Sequence, residues 1–344
     1  INMTETILDN LSEQIKTVVS LNGSQNVRSI SEADDFFGKN GFYRTSLEFE
    51  SFDFAKAVYV RAKKKDVNLS YSNSSVNGPG QVVQSLLKGL QKLNVEVTST
   101  SPNLGILQLT NSLIDRKTNN IVAGPNICVL PSEMPQIISG LKTFLVPSKW
   151  VYDKYVKDFE KIKKIDATFV SSELKIWSAG IDTDMWKPSG NSKSQQNCFI
   201  YFKGRTREEL SLVKQVFKNQ GMNVEVIEYG NYKPEKLHEI CENSQFCVLL
   251  DNTESQGIAV MQILSMNVPI FVLDKTVWEY NGNNAPATSV PFFDERCGKI
   301  VGNSLSKKDV EDFFLKLSMF NPRQYILEHH TLIQAAGRYL ECFK

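Results

Sequence analysis

The sequence predicts an α/β protein built on parallel sheets, and three observations carry that expectation. From about Val67 onward, short β-branched runs alternate with amphipathic segments of helical length, the pattern of parallel strands joined by crossover helices. The chain has 344 residues, which at about 150 per domain is length for two domains. A polar stretch, Lys187–Gln196, contains Pro188 and Gly190 but no apolar side chain, and it splits the alternation into two series.

Each element follows from local pattern. In the first series Val67–Tyr71, Val95–Ser99 and Gly105–Leu109 read as strands, with a helix over Gln81–Leu93. Ile121–Leu130 reads as strand plus loop, Pro135–Gly140 as a short helix, Thr143–Val146 as a strand and Val151–Glu160 as a helix. Ala167–Val170 and Lys175–Ser178 are expected to be further strands. The second series places strands at Cys198–Phe202, Val224–Tyr229, Phe246–Leu250 and Pro269–Leu273, and helices at Arg207–Asn219, Pro234–Asn243 and Gly257–Met266. Ala287–Gly298 is expected to be a long irregular loop, in which Thr288, Ser289 and Asp294 either line a site or only build the turn. Arg323–Lys344 carries Tyr325, Leu332, Ala336, Tyr339 and Phe343 on one stripe and predicts a long terminal helix.

Residues 1–66 fit neither series. An amphipathic helix is expected over Ile7–Val19, a loop at residues 41–43 and a second helix near Phe52–Lys64. The expected organisation is therefore an extension over 1–66, an α/β domain over 67–187, a second over 188–322 and a C-terminal helix over 323–344 that packs back on the body.

Composition excludes several function classes. Apolar residues are 41% and charged residues 22% of the chain, which fits neither a disordered tail nor a coiled coil. With 39 Lys and Arg against 38 Asp and Glu there is no bulk field to hold a nucleic acid, so any anion must be met by a local site. Six cysteines without a C-x-x-C pair read as reduced thiols of a cytoplasmic protein. His238, Cys241 and Cys247 have a loose ligand spacing, but Cys247 sits in an apolar strand and reads as core. No apolar stretch reaches the roughly 20 residues that span a bilayer, and the first residues lack the pattern of a signal peptide. Membrane association is expected to be peripheral at most: the lysine-rich helix 149–164 can face an anionic acceptor or a membrane surface, but reads more readily as a solvated face.

Two stretches have the form of a ligand site. Ser72–Gly80 lies between a strand and a helix, and its Gly78 and Gly80 either let the backbone approach a diphosphate or make an ordinary turn. Glu254–Gln262 follows the strand Phe246–Leu250 and opens a helix. A carboxylate at the carboxyl end of a parallel strand, followed by a glycine and a helix amino terminus, is where open α/β sheets take ligands. Glu254 can accept from sugar hydroxyls while the amides of Gln256, Gly257 and Ile258 face a phosphate; it can also simply favour the helix start.

Four stretches together carry a family resemblance. Glu254-x7-Gln262 with Asn267-Val268-Pro269 resembles the E-x7-E signature, and its following strand, of retaining nucleotide-sugar glycosyltransferases of the GT-B fold, the family-four group (glycosyltransferase group 1). Ala179–Pro188 is similar to their N-G-V-D-x-x-x-F-x-P stretch, Val146–Trp150 to a strand-to-helix turn late in their first domain, and Asn77–Gly80 to their first glycine-rich loop. The resemblance implies two Rossmann-like domains facing across a cleft, with a helical N-terminal extension and a long C-terminal helix. It implies transfer of a sugar from a nucleoside-diphosphate donor of UDP or GDP type to a hydroxyl acceptor of glycan, lipid or protein-linked type, with retention and without a metal or other cofactor. Glu254 would support the donor sugar, Lys203 and Arg205 the departing diphosphate, and Gln256, Gly257 and Ile258 the phosphates through their backbone. Tyr229 and Gly230 stand where the base binds, and Gly78 and Gly80 by the phosphates. Gln262 replaces the family's second glutamate at the ribose, and Asn126 stands where relatives place a sugar-contacting histidine.

Other readings remain open at this point. Asp182-Thr183-Asp184 has the D-x-D form of a metal-bridged diphosphate site, although it also fits the longer interdomain pattern. Gln262 and the absent histidine suit a catalytically impaired nucleotide-sugar or carbohydrate binding protein of the same fold. A nicotinamide oxidoreductase would use a similar architecture, but G-x-G-x-x-G is missing.

Overall fold

A computed structural model of the chain describes residues 16–22, 27–51, 54–62, 66–72, 78–115, 120–190, 193–302 and 304–343. Contacts divide them into two units. The first runs to Pro147, resumes over Tyr152–Asp182 and closes with the stretch from His330; the second holds Ser148–Val151 and Thr183–His329.

The first unit is built on a six-stranded parallel sheet. Its strands are β4 (Asp66–Ser70), β5 (Glu96–Val97), β6 (Asn103–Gln108), β7 (Asn120–Asn126), β8 (Thr143–Val146) and β9 (Glu173–Ile176), in the order β5-β4-β6-β7-β8-β9. β6 and β8 are buried along their whole length, as apolar strands covered on both faces should be. The connecting helices are α2 (Gly78–Lys92), α3 (Asn111–Asp115), α4 (Pro135–Ile138) and α5 (Lys149–Ile165). Ala167–Val170 is not the expected strand: the Asp166 carboxylate accepts from the Thr168 amide at 2.9 Å, and this Asx-type turn bends the chain there.

Upstream lies a second sheet where helices were expected. β1 (Lys16–Asn22), β3 (Phe54–Arg61) and β2 (Phe42–Ser51) pair antiparallel in the order β1-β3-β2, and one helix, α1 (Val27–Lys39), accompanies them. The helical extension is therefore corrected to a sheet with a single helix. The proposed helix near 52–64 is largely β3, because Ala57 and Tyr59 alternate into a core with Ile30 and Ala33 of α1. Of the expected N-terminal helix, residues 7–15 lie outside the described residues and 16–19 belong to β1. Beneath α1, Arg44 donates to both Asp34 oxygens at 2.9 and 3.0 Å, and the Tyr59 hydroxyl donates to the same carboxylate at 2.7 Å. A buried charge needs such partners, and here the register of β2 and β3 supplies them.

The C-terminal helix is also corrected, into α10 (Pro322–His329) and α11 (Leu332–Glu341). The break has a cause: the His330 carbonyl accepts from the Ile181 amide at 2.7 Å, and Thr331 restarts the helix with a capping box to Gln334. α11 lies against α2 and β2 in the first unit. It comes so close that a Cβ on Gly89 would stand 2.4 Å from the Leu332 carbonyl oxygen.

The second unit is a five-stranded parallel sheet of β10 (Asn197–Phe202), β11 (Asn223–Glu228), β12 (Phe246–Leu250), β13 (Ile270–Leu273) and β16 (Gly298–Val301). The order is β11-β10-β12-β13-β16, so the chain winds one way from β10 to β11 and then reverses to β12. Helices α6 (Arg207–Asn219), α7 (Pro234–Asn243), α8 (Ile258–Ser265) and α9 (Lys307–Lys316) connect or flank these strands, and Phe217, Phe246, Phe271 and Phe313 form the centre of a buried aromatic cluster. An unanticipated hairpin joins β14 (Val277–Tyr280) to β15 (Asn283–Pro286) through Asn281-Gly282, both at positive φ as a primed turn requires.

The polar stretch 187–196 belongs to this second unit. Arg323 draws its approach inward, donating from Nη1 to the carbonyls of Trp186 at 2.7 Å and Ser265 at 2.6 Å and from Nη2 to that of Thr183 at 3.0 Å. Trp186 is buried against His238 as a result.

The α2–α11 contact makes a testable case. Gly89→Ala gains up to about 1 kcal/mol of helix propensity, but overpacking against backbone costs about 1–3 kcal/mol. The variant should be less stable by roughly 1–2 kcal/mol in urea unfolding; unchanged or raised stability would mean that the helices can move apart freely.

Candidate functional site

The strand order of the second unit places its site. Where winding reverses between β10 and β12, the two crossovers leave in opposite directions and open a crevice at the carboxyl edge. The loops that meet there are Lys203-Gly204-Arg205 after β10 and Asp251–Glu254 after β12.

Lys203 is the first residue beyond β10, and its amide donates to the Leu250 carbonyl at 3.0 Å, extending the ladder by one step. Its ammonium contacts Glu254 directly and lies 4.5 Å from the centre of the Tyr229 ring. Burial lowers the Lys203 pKa, and the Asp251 carboxylate opposes that shift. Gly204 then takes φ +63°, which turns the chain so that Arg205 enters the sheet edge rather than following Lys203.

Arg205 is engaged differently from what the sequence implied. Its Nε and Nη2 donate to Glu209 at 3.1 and 2.7 Å, and its Nη1 donates to the carbonyls of Asp251 and Leu273, each at 3.1 Å. The guanidinium thus ties β12 and β13 to the start of α6. Glu209 also completes the capping box with Thr206, and the Arg205 hydrogen bonds are the main cause of a Glu209 pKa lowered to about 2.

Glu254 is fixed from both sides. Its amide donates to the Thr288 carbonyl at 2.9 Å, and its carbonyl accepts from the indole of Trp150, one of the four residues at the start of α5 that cluster with the second unit, at 2.8 Å. The loop beyond is structural: Asp274 accepts from the Thr288 hydroxyl at 2.8 Å and the Ser289 amide at 2.7 Å, while Asp294 pairs with Arg296. Gly257 caps α8 in the left-handed conformation at φ +69°, so the chain from buried Gln256 turns into Ile258 with the first amides of the helix unsatisfied by earlier turns. Gln262 is half-buried one turn into α8, and its side-chain amide makes no hydrogen bond among the described residues.

Tyr229 and Gly230 follow β11, with Tyr229 half exposed and Gly230 open enough that a Cβ would meet nothing within 4 Å. Tyr232 donates to or accepts from the buried Tyr201 hydroxyl at 3.1 Å. The structure therefore gathers Lys203, Glu254 and Tyr229, sets Arg205 beneath them in a structural role, and adds Asp251, a buried carboxylate that pattern reading passed over. Its signal was present: Asp251 directly follows an apolar strand.

The first unit has its own reversal between β4 and β6. There Ser70 bonds Thr110 at 2.7 Å and Ser112 at 3.1 Å, while Gln108 accepts from the Ser72 amide and hydroxyl at 2.7 and 2.6 Å. Asn126 is in register with Gln108 on the adjacent strand, and its Nδ2 is buried with no hydrogen-bond partner among the described residues. Gly78 and Gly80 begin α2, while Asn77 lies outside the described residues. The alternative D-x-D reading meets other partners: Asp182 pairs with Lys88 at 3.0 Å and Asp184 acts electrostatically on Arg323. Among the described residues no group of three His, Cys, Asp or Glu side chains is placed to hold a metal, and no helix is long and apolar enough to cross a membrane.

The chain matches no family profile and no curated protein by sequence. In structure it is similar to WaaG, a glycosyltransferase involved in lipopolysaccharide biosynthesis, at 11% identity and a TM-score of 0.39, covering 80% of this chain and 95% of that one. It is also similar to sucrose-phosphate synthase from Thermosynechococcus elongatus (9% identity, TM-score 0.42, 81% and 94% covered). The catalytic domain of starch synthase IV from Arabidopsis thaliana, bound to ADP and acarbose, is similar at 9% identity and a TM-score of 0.41, with 82% and 73% covered.

The two cations separate experimentally. Arg205→Ala leaves two strand-end carbonyls and Glu209 without their donor and should cost about 2–3 kcal/mol of stability. Lys203→Ala removes a partly exposed ion pair and should cost about 1 kcal/mol or less. Chemical denaturation of both variants reads this difference; equal losses would put Lys203 in a structural role as well.

Proposed function

We propose that the protein is a glycosyltransferase that moves a sugar from a nucleoside-diphosphate donor to a hydroxyl acceptor, with retention and without a metal. The observation that carries this reading is the contact of Lys203 with Glu254 at the carboxyl edge where β10 and β12 part. A cation and a carboxylate held together there suit a ligand that brings both an anion and hydroxyls. The donor phosphates take Lys203 and the amides of residues 256–258, and Glu254, released from the lysine, accepts from sugar hydroxyls. Gln262 pairs with the ribose as a neutral donor and acceptor, and the loop of Tyr229 and Gly230 meets the base.

In the transfer step the bond from the anomeric carbon to the diphosphate oxygen breaks, and the acceptor oxygen bonds to that carbon on the same face. The acceptor proton goes to the departing phosphate oxygen, so no separate base is needed. Lys203 stabilises the charge that develops on the leaving group. Arg205 acts at one remove, by holding the edge on which Lys203 and Asp251 stand. The neutral edge formed by Ser70, Ser72, Gln108 and Asn126 supports the first unit as the place of a glycan-type acceptor, with the unpartnered Asn126 amide as a sugar contact. Six free thiols support a cytoplasmic setting.

A second reading rests on Gln262: a binding protein of the same fold that has lost turnover. A thermal-shift panel of UDP-, GDP- and ADP-sugars, with Mn²⁺ and with chelator, tests the donor and metal statements together. Stabilisation by one nucleotide sugar that is unaffected by chelator is expected. Glu254→Ala and Lys203→Ala should each lower transfer by about 100-fold or more; wild-type rates in both would sink the assignment, and binding without transfer to any acceptor would favour the second reading.

A further inference from the structure

The geometry points to Asp251 as a positioning residue that couples diphosphate binding at this site to uptake of one proton. The inference rests on the donor-binding reading given above. Asp251 stands at the end of β12, 1% exposed, as the neighbour of Lys203 one step beyond the Phe202–Leu250 pair. Its Oδ1 accepts from the Asn252 amide at 2.6 Å, and its carbonyl accepts from Arg205 at 3.1 Å and from the Ser289 hydroxyl at 3.5 Å. The side chain is therefore held beneath the site rather than free to swing into solvent.

Charge balance makes this position consequential. At the edge shared by β10 and β12 the ionised groups are Lys203 and Arg205 against Glu254, Glu209 and Asp251, three carboxylates to two cations. Glu209 is committed to Arg205, and Glu254 passes from Lys203 to the sugar hydroxyls when donor binds. A nucleotide sugar would bring two more negative charges to the site of Lys203. A like charge arriving beside a buried acid favours its protonated form.

Between the two acids beneath the site, Asp251 is the one that yields. Burial has raised its pKa to about 6, against the opposing pull of Lys203, the Asn252 amide and Arg205, whereas Glu209 is lowered to about 2. The other titratable groups that feel Asp251 are Tyr201, Tyr232 and Cys247, whose pKa values are all raised by burial, so they stay neutral near pH 6. The sign follows: the bound anion raises the Asp251 pKa further, protons are taken up on binding, and affinity increases as pH falls through the free-state value. A bound-state rise of one pKa unit makes binding at low pH about tenfold tighter than at high pH.

The test measures affinity of the full chain for UDP-glucose, ADP-glucose and GDP-mannose from about pH 5 to 8, a range in which their diphosphate esters do not titrate. In wild type the affinity for whichever donor binds should rise about tenfold toward low pH. Asp251→Asn keeps the acceptor for the Asn252 amide but cannot ionise, so its affinity should be high and flat over the same range. Calorimetry in two buffers of different ionisation enthalpy should show proton uptake in wild type near pH 6.5 and none in the variant. Binding with the same pH dependence in both proteins overturns the role of Asp251 and leaves the donor reading intact. Failure of all three probes to bind at any pH overturns both.

Discussion

The structure depends on one topological constraint. In a parallel sheet covered on both faces, the chain must reverse its winding, and wherever it does so the carboxyl edge is left uncovered between two strands. Both parallel sheets reverse after their second strand, opening the edge beside the first, at β4/β6 and at β10/β12. The polar clusters proposed above for ligand binding lie on those two edges. The second edge is charged and the first is neutral, so the same backbone device presents two different chemistries.

The charged edge also shows how a sheet manages carbonyls that no further strand accepts. Arg205 takes the terminal carbonyls of β12 and β13 in one guanidinium, and the helix-capping Glu209 neutralises it. Lys203 is thereby left as the cation nearest the opening. Two basic residues separated by a single glycine have divided into a structural and a ligand-facing member because Gly204 turns the backbone between them. Substituting Gly204 would disturb both roles at once, since its φ of +63° is costly for any side chain.

The parallel sheets were legible because short, wholly apolar runs such as Phe246–Leu250 suit a strand buried on both faces. The N-terminal sheet was not, because β2 and β3 alternate polar and apolar residues over lengths that also suit helices, and their strand form is decided by packing on α1 and by the buried Asp34–Arg44 contact rather than by pattern alone. The break between α10 and α11 escaped for a similar reason: the stripe from Tyr325 to Phe343 is continuous in sequence, and only the Ile181 amide, well over a hundred residues away, claims the His330 carbonyl. The Asn281-Gly282 hairpin went unread, although its turn residues carry the signal. At the site, Glu254 and Lys203 could be named from position after a strand, while the commitment of Arg205 depends on two strand ends that pattern cannot align.

The return of the chain to the first unit at His330 has a consequence for how the protein is made. Trp177 donates to the Ala335 carbonyl at 2.8 Å and packs on Tyr339, and Gly89 receives Leu332, so the core of the first unit includes side chains translated after the entire second unit. On the ribosome the first sheet must wait with that face uncovered while residues 183–329 emerge and fold. Residues 332–343 act as the closing stitch of a unit begun before residues 183–329, so the first unit finishes folding only after the second has been made.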